Sequence, residues 1–185
     1  MSVDTVNEIP PPLRKGATTW LIATALVVVT FLAYRGVGSC GFVNFDDDAY
    51  IELNPMVNQG IRSAGLVWAF SGAHAGMWHP LTTLSHMVDC EIFGTRPAPM
   101  HWENLGWHLI NVLLIFQVWR ALTGTTWRPA LIAALFALHP LDVESVAWLS
   151  ERKNLLSTCF WMLSIGAYAG YARRSTGPRY TLVLI

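Results

Sequence analysis

The sequence predicts an all-α membrane protein, a polytopic helical bundle with a large exterior loop that carries short interfacial helices. Three observations predict it. Apolar residues make up 53% of the 185 and charged residues only 13%, about half the charged share of soluble domains. Apolar runs recur along the chain. The first, Ala17 to Tyr34, is eighteen residues, about 27 Å of helix against a hydrocarbon core of about 30 Å. The remaining charges are sorted by sign between alternate inter-helix segments, as membrane topology requires. The net charge is zero, so no global field argues for a nucleic-acid partner. Cys40, Cys90 and Cys159 do not make a disulfide framework. Cys40 and Cys90 fall in one loop and could pair, but three free thiols are the expected state.

Residues 1–16 read as a cytoplasmic tail, rich in proline at Pro10, Pro11 and Pro12 and closed by Arg14-Lys15 at the membrane. Residues 17–38 follow as the first membrane helix. The run is long for a signal peptide, and Arg35 interrupts it before Cys40. Residues 39–100 form the exterior loop with its acidic cluster, Asp46-Asp47-Asp48. An Asn54-Pro55 turn comes next. The stretch from Ile61 to Phe70 is apolar and aromatic but too short to span, which suits a helix lying on the bilayer. His79, His86 and Asp89 would share one face if Leu81 to Phe93 is helical.

The second membrane helix is expected over 101–123. Its polar residues His101, Asn104, His108 and Asn111 fall at offsets that form one stripe. Polar groups in a spanning helix turn toward the bundle or a wet cavity. A third helix over 128–149 starts with Pro129 in its first turn and breaks at His139-Pro140, which places that break at the mouth of a cavity rather than in lipid. The fourth helix, 154–172, carries Gly166 and Gly170 as a close-packing face. Residues 180–185 read as the start of a fifth helix, and the chain therefore as truncated.

Charge counting orients the bundle. With the amino terminus inside, the cytoplasmic segments hold seven basic and two acidic residues. The loop and helix edge over 39–104 hold two basic and seven acidic. The acidic loop is then on the exterior, periplasmic or luminal face. Asp46, Asp47, Asp48, His79, His101, His139, Glu144, Arg152 and Lys153 converge on that face, with Asn104 beside them. A carboxylate there can act as a general base. Asp46 and Asp48, two apart, could hold a divalent cation. Arg152 and Lys153 suit a phosphate carried on a lipid. Bland roles compete with each: a solvated acidic loop, headgroup-anchoring cations, and interhelical hydrogen bonds along the stripe.

The segments FVNFDDDAYIELNP, WHPLTTLSHMVDC, NLGWHLINVLL and ALFALHPLDVESVAWLSERKNLLS together resemble the amino-terminal membrane module of the transmembrane-and-TPR-containing proteins. These belong to the C-type glycosyltransferases and are related to the protein O-mannosyltransferases. The resemblance covers about residues 40–172. It implies inverting transfer of a sugar, with mannose the one expected, from a polyprenyl-phosphate donor to a Ser or Thr hydroxyl of an acceptor protein. Asp46 and Asp47 map onto the family's catalytic acidic pair. Arg152 and Lys153 take the donor phosphate, while His79, His101, Asn104, His139 and Glu144 line the cleft. Asn154 departs from the pattern, which has an aspartate there. The TPR repeats and later membrane helices are absent from these 185 residues, which alone are expected to be inactive. Two other readings stay open: a non-catalytic membrane scaffold presenting carboxyl-terminal repeats, and a transporter or ion-binding protein whose path is the stripe from His101 to Asn111.

Overall fold

The computed structural model describes residues 16–74 and 76–173; the expected tail at 1–15 and the expected fifth helix at 180–185 lie outside the described residues. The architecture is helical throughout, with no β-strand among the described residues. Among the described residues seven α-helices follow one another: α1 (Ala17–Tyr34), α2 (Ser63–Phe70), α3 (Pro80–Phe93), α4 (Pro97–Thr123), α5 (Trp127–Ala137), α6 (Asp142–Ala147) and α7 (Arg152–Arg173). A 3₁₀ turn follows α1 at Val37–Ser39, a single π turn sits at Asp48–Glu52, and a second 3₁₀ turn at Leu149–Glu151 leads into α7.

Among the described residues, three helical stretches are long and apolar enough to cross a membrane: Ala17–Ser39, Pro97–Thr123 and Leu149–Arg173. The protein is an all-α membrane protein. The third expected span behaves differently. Its apolar helix α5 has 11 residues, about 16 Å of rise, too little to cross alone. It stops because Pro140 has no N–H and restricts the residue before it. The chain turns through His139, whose carbonyl accepts from Asp142 N–H at 3.0 Å, and resumes as the short α6.

Local chemistry sets the other helix ends. Pro80 occupies the first turn of α3, where its missing N–H costs nothing. Gly94 (φ +66°) closes α3 and Gly124 (φ +64°) follows α4, both in the left-handed region that a side chain disfavours.

The chain divides into two compact units. One comprises, of the described residues, 16–30, 109–138 and 158–173. Its core is Ala23 and Leu26 of α1, Val112, Ile115 and Phe116 of α4, Ala133 and Ala137 of α5, and Met162 of α7. Gly166 lets α7 come close to α4, since a Cβ there would sit 3.3 Å from Val118 Cγ2. The other unit comprises residues 31–108 and 139–157. Its core gathers Tyr50, Ile51, Val57, Ala69, Met87, Cys90, Met100 and Leu149, where α2 packs on α3.

On α3, Thr82, Thr83, His86 and Asp89 are buried together with Met87 and Cys90, while Leu81, Val88 and Ile92 are exposed. On α2, Gly65 and Ala69 face inward while Leu66, Val67 and Phe70 face out. Large apolar side chains displayed on both helices suit a lipid surrounding. Cys40 is exposed, Cys90 is buried, and both are free thiols.

Candidate functional site

The site is assembled within the second unit from two turns. The first is Val43 to Tyr50, the second Trp148 to Lys153. Between the aspartates of the first turn the chain rotates sharply. Asp47 points inward and is fully buried. Its Oδ2 accepts Val43 N–H at 2.8 Å. Its Oδ1 accepts the N–H of Ser150 at 2.9 Å and its hydroxyl at 2.5 Å. One carboxylate thus ties the two turns together across 103 residues of sequence. Asp46 stays partly exposed. It is near enough to Tyr50 for its charge to add to the burial that raises the phenol above its ordinary range. Asp48 is also partly exposed, and its Oδ1 accepts the N–H of Ala49 at 2.8 Å.

Tyr50 stacks obliquely on His79, ring centroids 4.9 Å apart. His79 is half-buried at the N-cap of α3. Burial lowers its imidazole pKa, and the ammonium of Lys153 pushes the same way. Lys153 Nζ donates to Glu151 Oε1 at 2.5 Å and to the carbonyl of Ser150 at 3.4 Å. Glu151 Oε2 accepts from Asn154 Nδ2 at 2.6 Å. Asp46, Tyr50, His79, Glu151 and Lys153 therefore form one group of mutually influencing polar side chains.

Arg152 is elsewhere. The sequence sets it beside a lipid phosphate; the structure buries it completely. Its Nη1 pairs with Asp89 Oδ2 at 2.5 Å and lies 3.5 Å from Glu103 Oε1. Its Nε donates to Asn104 Oδ1 at 2.7 Å, Nη1 to Ser85 Oγ at 3.4 Å, and Nη2 to the carbonyl of Met100 at 3.2 Å. A charge removed from water in this way holds α3, α4 and α7 in register, and its donors are directed at the protein.

The remaining expected residues divide. His101 is buried with Nε2 3.2 Å from the carbonyl of Gly41, beside the aspartate turn. Asn104 donates to the carbonyls of Val146 and Trp148 at 3.3 and 3.4 Å, supporting the second turn from below. All four stripe residues, His101, Asn104, His108 and Asn111, are buried. Glu144 is exposed on α6 and lines a groove with Phe45 and Trp148. His139 is exposed at the α5–α6 turn, where its Nδ1 accepts Leu141 N–H at 3.3 Å. His86 and Asp89 share the buried face of α3 at 3.9 Å, whereas His79 caps that helix instead of lying on it.

No group of three or more His, Cys, Asp or Glu among the described residues is arranged to hold a metal ion. Asp46 and Asp48 are two carboxylates on a part-exposed turn, with the carboxylate between them turned into the core.

Sequence reasoning passed over Ser150, Tyr50 and Glu151 as site residues. Glu151 was legible as part of a charged turn. Nothing local marks Ser150, whose role is set by a partner more than a hundred positions away.

No family model matches the chain, and no solved structure does. Curated proteins do. Protein O-mannosyl-transferase Tmtc1 of Drosophila melanogaster is 33% identical over 153 residues, which are 78% of this chain and 17% of that protein. Protein O-mannosyl-transferase Tmtc2 of the same organism is 32% identical over 167 residues, 84% of this chain and 18% of that protein. The mouse protein O-mannosyl-transferase TMTC3 is 28% identical over 169 residues, 86% and 18% respectively. The chain spans less than a fifth of the length of these relatives.

Proposed function

Because this chain belongs to the family of the TMTC protein O-mannosyl-transferases, we propose that it forms the catalytic end of a membrane glycosyltransferase. The sugar, mannose in this reading, passes from a polyprenyl-phosphate donor to a Ser or Thr hydroxyl of an acceptor protein. The site faces the exterior, with the amino terminus in the cytoplasm, in keeping with the sign-sorted charges.

The observation that carries the assignment is the opposite disposition of two neighbouring aspartates. Asp46 is partly exposed beside Tyr50 and His79; Asp47 is buried and fully bonded. Asp46 is the general base. It takes the proton of the acceptor hydroxyl as that oxygen attacks the anomeric carbon. The bond from that carbon to the phosphate oxygen breaks, polyprenyl phosphate leaves with the electron pair, and the configuration inverts. Asp47 is a positioning residue. It fixes Ser150, and with it the turn that presents Lys153. Lys153, released from Glu151, is the cation available to the leaving phosphate. Arg152 supports that turn from the interior through Asp89 and Asn104. No step is routed through a metal.

The burial of Arg152 also favours a second reading, a scaffold in which these motifs maintain structure alone. Transfer assays on the intact protein separate the two. Asp46→Asn is expected to lower transfer about 10²- to 10⁴-fold with normal membrane insertion and folding. Transfer retained in Asp46→Asn removes Asp46 as base. An intact protein that transfers nothing from any polyprenyl-phosphate sugar leaves the scaffold.

A further inference from the structure

Within the second unit, the groups suited to hold an anion already hold a carboxylate of the chain itself. Glu151 ends the 3₁₀ turn before α7, and Lys153 and Asn154 follow in the first turn of that helix. Glu151 Oε1 accepts from Lys153 Nζ at 2.5 Å and Oε2 from Asn154 Nδ2 at 2.6 Å. The Glu151 and Lys153 side chains are 15% and 22% exposed, so the pair is shielded from water yet reachable by a ligand. The charge of Glu151 also reaches Tyr50 and His79. The backbone on either side is fixed, because Ser150 is bonded to Asp47 and Arg152 is completely buried. Rearrangement here is therefore confined to the side chains of Glu151, Lys153 and Asn154.

The geometry points to Glu151 as the exchangeable counterion of the donor-phosphate site: its carboxylate holds Lys153 and Asn154, yields them to the phosphate, and takes them back to expel the polyprenyl phosphate product. The inference rests on the transferase reading and adds to it the residue that sets donor affinity and product release. Charge supplies the reason. A sugar joined to polyprenyl phosphate is a phosphodiester with a single negative charge. The product is a monoester, which carries about −1.5 to −2 at pH 7. An unopposed cation would hold that product more tightly than the donor. A carboxylate tethered in the same turn is present at high effective concentration and offsets the gain.

The test uses the intact protein in phosphatidylcholine nanodiscs and compares farnesyl phosphate, a monoester like the product, with farnesol by isothermal titration. The ratio of the two affinities isolates the phosphate, and no sugar is present, so the result is independent of transfer. Glu151→Gln keeps the shape and removes the charge. It is expected to raise the ratio about tenfold, between the scales of an exposed and a buried ion pair. Lys153→Met is expected to bring the ratio close to one. Glu52→Gln, which removes an exposed carboxylate of the same unit, is expected to leave it unchanged. In transfer assays Glu151→Gln is expected to lower the donor KM and to make farnesyl phosphate a stronger inhibitor. A ratio that falls in Lys153→Met but does not rise in Glu151→Gln overturns the exchange and leaves the transferase reading standing. Equal rises in Glu151→Gln and Glu52→Gln also overturn it, since a general field then accounts for both. A ratio that Lys153→Met leaves unchanged overturns both the exchange and Lys153 as the phosphate cation.

Discussion

Exchanging each of two adjacent aspartates for asparagine is expected to give opposite phenotypes. Asp47→Asn preserves shape but turns one carboxylate oxygen into an NH₂ group. Oδ2 faces the N–H of Val43, and Oδ1 faces the N–H and hydroxyl of Ser150. Either orientation of the amide sets donor against donor. The less costly orientation gives up the Val43 bond and leaves the Ser150 bonds without their charge. Hydrogen bonds to a charged group contribute about 1.5–3 kcal/mol each, roughly twice neutral ones. The loss is therefore about 3–6 kcal/mol, a fall in Tm of about 6 to 24 °C for a chain of this length. Asp46→Asn is expected to stay within about 0.5 kcal/mol of the parent, as surface changes do, while transfer collapses. Thermal unfolding in detergent beside a transfer assay reads both. An Asp47→Asn protein as stable as the parent would refute the positioning role, and an Asp46→Asn protein that unfolds early would refute the division of labour.

Three further outcomes follow from the same unit. Arg152→Met alone leaves the buried Asp89 carboxylate without its cation and is expected to cost about 3–5 kcal/mol, Asp89→Leu alone leaves Arg152 only the more distant Glu103 and is expected to cost less, and the double variant Arg152→Met/Asp89→Leu is expected to recover much of the loss; denaturant titration of the three variants checks the coupling. His86 is buried 3.9 Å from Asp89, within the field of Arg152, Asp47, Glu103 and His79, and burial first, then Arg152, holds its pKa well below 6.5. Below that value the unfolded chain takes a proton that the folded one refuses, so stability present above about pH 6.5 is lost as pH falls, by at most about 1.4 kcal/mol per pH unit. His86→Leu should flatten that slope, leaving the smaller contribution of His79. A membrane-impermeant maleimide is expected to label exposed Cys40 from the exterior and to spare Cys90, which is buried with its thiol pushed up to about 11; labelling of Cys40 from the cytoplasmic side would reverse the orientation.

How much was legible in the sequence depended on the range of the interaction. Membrane-spanning helices are local: a run such as Ala17–Tyr34 satisfies its own backbone bonds in lipid whatever surrounds it. The polar stripe on α4 was legible for the same reason, since helical spacing alone groups His101, Asn104, His108 and Asn111. The α5 break was visible at Pro140, but not that α5 would fall short of a span. The placement of Arg152 was not legible. Arg152-Lys153 reads as a pair of cations at a membrane surface, but a helix starting at Arg152 turns successive residues by about 100°. Lys153 then meets Glu151 at the rim, while Arg152 enters the space left by Ser85, Asp89, Met100 and Asn104. Its fate is decided by residues 48 to 67 positions away.

The same logic explains why the acidic triplet is three residues and not one. In the tight turn from Asp46 into the π turn, successive side chains point in different directions. The turn can therefore offer one carboxylate to the interior, one to its own backbone and one to the surface. The interior one needs donors that water cannot replace, and Ser150 supplies two. Asp48 caps its own turn through Ala49. Only Asp46 is left with neither an interior nor a local backbone donor on its side chain among the bonds described, which is what a base must be if it is to meet a substrate proton. Moving the triplet by one position would exchange these tasks. An alanine inserted between Asp46 and Asp47, which leaves Asp47 bonded to Ser150 but puts the new residue where Asp46 stood, should therefore abolish transfer while leaving most of the stability that Asp47 confers. Transfer that survives the insertion would mean that the position just before Asp47 does not set the base.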